Sequence, residues 1–427
     1  MWRYGTSGVA RIRGNGTTRR WRSWIFLSFV LALGLTCSAC APAPASSAAA
    51  GRPSATSARL SSPHPGASRT PPRPAPPSCP ALVFSRLTEA QRIGQLFLIG
   101  LAGDPVSDVA QAVAAYHFGS LLSAGNLTAG TAELRQLTSG YQALASSRDT
   151  GRVRFFIAAN QEGGEVQSLR GPGFSAMPPA LVQGGLPAAD LERQAAVWGG
   201  ELRSAGVNLD LAPVMDVVPP GTAGQNQPIG MLQREFGDSP AAVAVHGAAF
   251  IRGMRQAGVA TTAKHFPGLG RVIGNTDFTA GVVDSTTGPD DPYLGSFQGA
   301  IDAGVPFVMV ALATYTRIDA RHLAVFSPRV MRVILRQQLH FQGVIVSDDL
   351  GAATAVASLS PGARGIDFLA AGGDLITSQS LSAAVEMDSA ILARVTADSA
   401  FRALVNAAVM RVLRAKQGYQ LLPCPAG

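Results

Sequence analysis

Along most of this chain, short apolar runs alternate with longer segments whose apolar residues recur every three or four positions. The runs occupy residues 118–123 (FGSLLS), 155–160 (FFIAAN), 206–217 (GVNLDLAPVMDV), 259–266 (VATTAKHF), 305–314 (VPFVMVALAT), 343–350 (GVIVSDDL) and 372–378 (GGDLITS). Near-continuous hydrophobicity over so few residues is the signature of strands buried on both faces. The Ala-rich stretches between them, such as 240–258, carry a helical period. Ahead of the first run, LTEAQRIGQLFLIG places Thr88 three residues before Gln91, the spacing of a capping box, and so predicts the start of a helix. Strand and helix alternating over about 340 residues predict a parallel α/β architecture.

Polar residues close nearly every run: Asn160, Asp216, the Lys264–His265 pair and Asp348–Asp349. A closed (β/α)8 barrel of the TIM type would gather these C-terminal strand ends on one face. The competing arrangement is an open doubly wound sheet, but no Gly-rich phosphate loop follows an early strand. The barrel is the expected fold.

The pattern is different before residue 79. RRWRS supplies a positive segment, and the apolar run Trp24–Leu35 follows it. That run is too short for the roughly 20 residues of a spanning helix and reads as an export signal. It ends in TCSAC, where Cys40 after small residues resembles a bacterial lipobox, although Cys37 stands where Leu is usual. The alternatives are an acylated Cys40 and a simple cleaved signal. Residues 41–78 are Ala, Pro, Ser and Gly with scattered Arg, a composition that predicts a disordered tether. The expected organisation is therefore a signal over 1–40, a linker over 41–78 and a barrel domain over 79–427. The protein would be exported, either to the outer face of the membrane as a lipoprotein or as a secreted form.

Charge supports this division. The formal net charge of +8 is misleading, because residues 1–77 hold ten arginines and no acidic residue. The remainder carries 25 basic against 27 acidic residues, so nothing favours a nucleic-acid partner. Only Lys264 and Lys416 are lysines. Cys79 and Cys424 bracket the expected domain, and in an exported protein such a pair predicts a disulfide rather than two free thiols.

The candidate chemistry lies at the strand ends. Asp348 closes an apolar strand, where a carboxylate is costly unless it is paired or functional. Lys264 and His265 end another, and Asp277 follows on the next loop. Two carboxylates facing a polyhydroxylated ligand can serve as nucleophile and acid/base in glycoside hydrolysis. Taken singly, an Asp at a strand end is more often a helix cap.

Together, NQEGGEVQSLRGPGF, LAPVMDV, REFGDSP, KHFPGLG and GVIVSDDL resemble, in order and spacing, glycoside hydrolase family 3. The likeness is to its bacterial β-N-acetylhexosaminidase branch and covers about residues 86–420. The resemblance implies a (β/α)8 barrel that cleaves terminal β-linked N-acetylglucosamine from cell-wall glycans with retention. It implies Asp348 as nucleophile, with Lys264, His265 and Arg234 binding the sugar. Asn160 stands where the family has Asp, keeping an acceptor but losing the charge. The family also has a second His where this chain has Leu269, and an Asp-x-His acid/base dyad where this chain has Asn275-Thr276-Asp277. Asp277 could replace the imidazole, the protein could bind sugar without hydrolysing it, or the substrate could differ. Carbohydrate and, through the lipid, a membrane are the implied partners. With no His/Cys ligand cluster in the sequence, no metal or organic cofactor is expected. The rival functions are a non-catalytic glycan-binding lipoprotein and a purely structural envelope protein.

Overall fold

The computed structural model describes residues 78–424. The expected signal, Cys40 and the linker up to residue 77 lie outside the described residues. Ser78, the last residue of the expected linker, directly precedes a helix over Cys79–Arg86.

Eight parallel strands form the centre: β1 (Phe97–Leu101), β2 (Ser120–Ser123), β3 (Phe156–Ala159), β4 (Leu209–Asp210), β5 (Ala260–Phe266), β6 (Phe307–Val310), β7 (Val344–Ser347) and β8 (Ile376–Ser378). Their order in the sheet is β7-β6-β5-β4-β3-β2-β1-β8, so consecutive strands from β1 to β7 pair and β8 pairs with β1. A bridge between Val346 and Leu375 joins the two edges, where the Ser347 N–H donates to the Leu375 carbonyl at 2.9 Å. The sheet thus nearly closes on itself, in the α/β barrel expected from the alternating pattern.

Seven strands lie inside the seven apolar runs, each shorter than or equal to its run. The missed one is β1, in the segment read only as a helix start. The capping box is formed there: Gln91 N–H donates to Thr88 Oγ1 at 3.2 Å and Thr88 N–H to Gln91 Oε1 at 3.0 Å. The helix stops after six residues, at Gly94, and the chain enters β1. Strand β1 is identified by its partners, with Leu98 opposite Ser120 and Phe97 opposite Ile376. The long run 206–217 yields only two strand residues. Pro213 has no N–H for the ladder, and pairing resumes at an isolated bridge between Val214 and Lys264.

The end of the barrel opposite the site is filled. The rings of Phe156 on β3 and Phe307 on β6 meet edge to face with centroids 5.3 Å apart, and Tyr419 packs on Phe156 at 5.9 Å. Lys416, from the helix Ser399–Gly418, is completely buried. Its ammonium donates to Gln95 Oε1 at 2.7 Å, the Gly119 carbonyl at 2.7 Å and the Arg154 carbonyl at 3.0 Å. These acceptors precede β1, β2 and β3, so one cation ties three strand entries together. Burial pushes the Lys416 pKa well below the ordinary lysine value, while three acceptors match the three N–H groups of the charged form.

Cys79 and Cys424 are joined, with Cα atoms 6.1 Å apart. The two ends of the barrel domain therefore meet, as the pairing of these cysteines predicts. The bond closes a sequence separation of 345 residues, for which the chain-entropy account gives about 5–6 kcal/mol, less any strain. A Cys79→Ser/Cys424→Ser double variant is expected to lose stability of that order. Urea unfolding of the two proteins measures it, and coincident midpoints would count against a stabilising role.

Candidate active site

The strand ends build the site residue by residue. Asn160 leaves β3, and a small hairpin follows, with Gln161–Gly163 paired antiparallel to Val166–Gln167. Gly163 and Gly164 turn it with φ of 103° and 56°. A Cβ on Gly163 would come within 2.2 Å of the Pro178 carbonyl oxygen, so only glycine fits. Gln161 pins the hairpin base: its N–H reaches Asp210 Oδ1 at 3.0 Å, and its side chain exchanges two hydrogen bonds with the backbone of Leu169.

This hairpin presents Glu162, whose side chain is 3% exposed, to two cations. Arg234 grips it with two hydrogen bonds of 2.7 Å, and Lys264 Nζ lies 2.6 Å from Oε1. Burial alone would raise the Glu162 pKa. The charges and hydrogen bonds of Arg234 and Lys264 outweigh it and lower the pKa to about 2. For Arg234 burial works downward, and Glu162 more than compensates, so its pKa is raised. Lys264 also donates to Asn160 Oδ1 at 3.0 Å, and Arg234 to the Pro228 carbonyl at 2.8 Å. A guanidinium has five N–H donors and an ammonium three. Two donors of Arg234 and one of Lys264 therefore remain for a ligand.

A second buried carboxylate sets the other half. Asp216, fully buried, accepts from His265 Nδ1 at 2.7 Å, His265 N–H at 3.1 Å and Leu269 N–H at 2.7 Å. It fixes the imidazole and the first turn of the following loop, leaving Nε2 as the ring atom available to a ligand. Leu269 is buried at 2% exposure, so the turn meets the pocket with an apolar side chain.

Asp277 lies further along that loop. Its carbonyl accepts from Thr354 N–H at 3.0 Å, and the Thr276 carbonyl from Ala355 N–H at 3.1 Å. The loop is thereby docked on the turn after β7 rather than free. Asn275 Oδ1 caps the local turn by accepting from Asp277 N–H at 3.0 Å, so the capping task falls to Asn275. The Asp277 side chain stands at the pocket mouth, reached by water yet walled by protein. Desolvation, and after it the charge of Asp348, raise its pKa, against the opposing pull of His265, Arg234 and Lys264.

Asp348 follows β7 directly, its N–H donating to the Val310 carbonyl at 3.1 Å. Its neighbour Asp349 takes the structural part. Asp349 Oδ1 accepts from the N–H groups of Gly351, Ala352 and Gln379 at 2.8, 3.3 and 3.0 Å. The cap role open to either aspartate thus falls to Asp349.

Asn160, Arg234, Lys264, His265, Asp277 and Asp348 all line one pocket of ≈ 270 Å³ at the C-terminal ends of the strands. The six side chains singled out in the sequence are thus brought together. Glu162 and Asp216 were not singled out as site residues. For Asp216 the signal was available, since a carboxylate inside the apolar segment LAPVMDV requires a partner, whereas Glu162 lies in the polar stretch NQEGGE, where nothing local marks it.

The chain matches the family described as "Glycosyl hydrolase family 3 N terminal domain" over residues 88–415 and belongs to it. The β-N-acetylhexosaminidase of Beutenbergia cavernae is a solved relative at 46% identity. The alignment covers 78% of this chain and 99% of that one, with a TM-score of 0.76. A family 3 β-N-acetylglucosaminidase from a Paenibacillus species is similar at 27% identity and a TM-score of 0.70, over 80% of this chain and 64% of that one. The β-hexosaminidase of Stenotrophomonas maltophilia K279a is 38% identical over 231 residues, 52% of this chain and 65% of the relative. The match therefore spans just under two thirds of that curated relative.

Replacing Glu162 by Gln would leave two buried cations facing a neutral amide. Removing one partner of a buried ion pair costs about 3–5 kcal/mol, and Glu162→Gln is expected to lose stability of that order. The stabilisation from Glu162 is present above the unfolded-state pKa of about 4.3 and is lost as pH falls toward 2, because the folded pKa is depressed. Urea midpoints should therefore separate wild type from variant at pH 7 and draw together toward pH 2.

Proposed function

We propose that this protein is a retaining glycosidase that removes terminal β-linked N-acetylglucosamine, or a closely related sugar, from cell-wall glycans. The observation that carries this reading is the convergence of Asp277 and Asp348 on one pocket lined by donors of Arg234, Lys264 and His265. The sugar occupies the pocket, held by the donors that Glu162 leaves free and by the Asn160 amide. Asp348 attacks the anomeric carbon and forms a glycosyl ester as the glycosidic bond breaks. Asp277 donates its proton to the departing oxygen. In the second half Asp277 removes a proton from water, which attacks the anomeric carbon and releases Asp348. A raised Asp277 pKa suits a carboxyl that must enter the first step protonated. The mechanism uses side chains alone.

A second reading, a glycan-binding protein without turnover, is favoured by one observation: Asn275-Thr276-Asp277 stands where the family places its Asp-x-His dyad. Kinetics separate the two. Asp348→Asn keeps shape and removes the nucleophile, so hydrolysis should fall by several orders of magnitude. Asp277→Ala should lose most activity on poor leaving groups and far less on activated aryl glycosides, with azide restoring turnover. The alkaline limb of the pH profile should disappear with it. Wild-type protein that binds N-acetylglucosamine but hydrolyses no glycoside would establish the binding reading.

For location, the reading is export to the outer face of the membrane with Cys40 acylated, or secretion if the signal is simply cleaved. The support is the sequence of residues 1–78: a positive segment, an apolar run ending in small residues, and a Pro/Ala/Ser tether. A single chain anchors only marginally, so more than one is expected on Cys40. Mass spectrometry of the native protein should find an acylated N-terminal Cys40. An unmodified N-terminus elsewhere would exclude it.

A further inference from the structure

Phe278 is 77% exposed, more than any other large apolar side chain among the described residues, yet it lines the pocket beside Asp277. An aromatic ring held in water at a pocket mouth forgoes the burial that ordinarily stabilises it. Its backbone is not loose: Phe278 N–H donates to the Asn275 carbonyl at 3.1 Å, and the two preceding residues are bonded to Thr354 and Ala355. Pro228 and Leu232 add further apolar lining. Their loop is tied to the 269–273 turn, since Asn226 Nδ2 donates to the Leu269 and Val272 carbonyls at 2.8 and 2.7 Å.

We infer that Phe278 is the platform for the leaving group, stacking on the apolar face of a second pyranose ring, so that the site selects a glycan over a small aglycone. This inference rests on the glycosidase reading above. The donors for the first sugar come from the barrel strands and the loops next to them. An acid/base residue must reach the oxygen between that sugar and the leaving group. Asp277 therefore marks the boundary, and the side chain that follows it on the same docked loop meets the second ring. Binding energy from that ring is gained away from the reacting bond and can be used in the transition state.

The test compares kcat/KM for N,N′-diacetylchitobiose, whose leaving group is a pyranose, with that for β-N-acetylglucosaminyl fluoride, whose leaving group has no ring. Phe278→Ala should lower the ratio of the two about three- to tenfold, the range of one aromatic contact. Phe278→Trp should keep it. A ratio unchanged in Phe278→Ala, or lowered equally in Phe278→Trp, overturns the platform. If the wild type turns over neither substrate, the glycosidase reading has failed, and calorimetry tests the platform alone. The wild type should then bind the disaccharide about three- to tenfold more tightly than N-acetylglucosamine, with Phe278→Ala losing that margin. Equal affinities in the wild type, or no binding of either sugar, overturn it.

Discussion

The site depends on one buried carboxylate, Glu162, held between Arg234 and Lys264. Without it, two cations would share an enclosed pocket and repel each other. With it, a shared carboxylate offsets part of their combined charge and orients both, and each keeps donors for a ligand. The cost of burying all three charges is recovered only because the hydrogen bonds are short and well directed. That requirement explains the surrounding construction. The Gly163–Gly164 turn, the Gln161 clasp on Leu169 and the contact with Asp210 all serve to bring Glu162 to one place. A displacement of the hairpin would unpair two cations at once, so the geometry is enforced by electrostatics as well as by packing.

Asp216 does the same for the other side of the pocket with hydrogen bonds in place of a charge triad. Three of them converge on one carboxylate, from an imidazole and two backbone N–H groups. The result is a division of labour among acidic residues. Glu162, Asp216 and Asp349 each accept three contacts from protein groups and hold the site in shape. Asp348, which among the described residues accepts only the Asp349 N–H at 2.9 Å, lines the pocket with Asp277, as Asp349 also does. Asp277 differs further, because desolvation and the neighbouring Asp348 charge push its pKa up while Glu162 is held down. Two carboxyl groups that both interact with Arg234 and Lys264 are thereby given opposite protonation preferences by their surroundings.

The hydrophobic pattern in the sequence was sufficient for a parallel α/β architecture, because strands buried on both faces leave apolar runs, and the polar residues closing those runs favoured a barrel over an open sheet. Four pocket residues, Asn160, Lys264, His265 and Asp348, could be chosen for a related reason: a polar side chain ending such a run is expensive and therefore purposeful, whereas Arg234 and Asp277 were marked by the family resemblance. The family motifs supplied order and spacing. Strand β1 was not legible, since its five residues follow a six-residue helix after only Gln95 and Leu96, and only pairing with β2 and β8 distinguishes it.

What the sequence determined by itself was thus the class of fold, which follows from local composition and period, and the candidate residues, which follow from polar strand ends and from the family resemblance. Tertiary structure alone decided their partners. That Asp349 rather than Asp348 carries the cap, that Asn275 rather than Asp277 closes the loop turn, and that Glu162 bridges residues 72 and 102 positions away are facts about distance in space. A residue's type fixes which bonds it can make. Which of them it does make depends on the groups the fold brings within about 3 Å, and for a barrel those come from strands far apart in the chain.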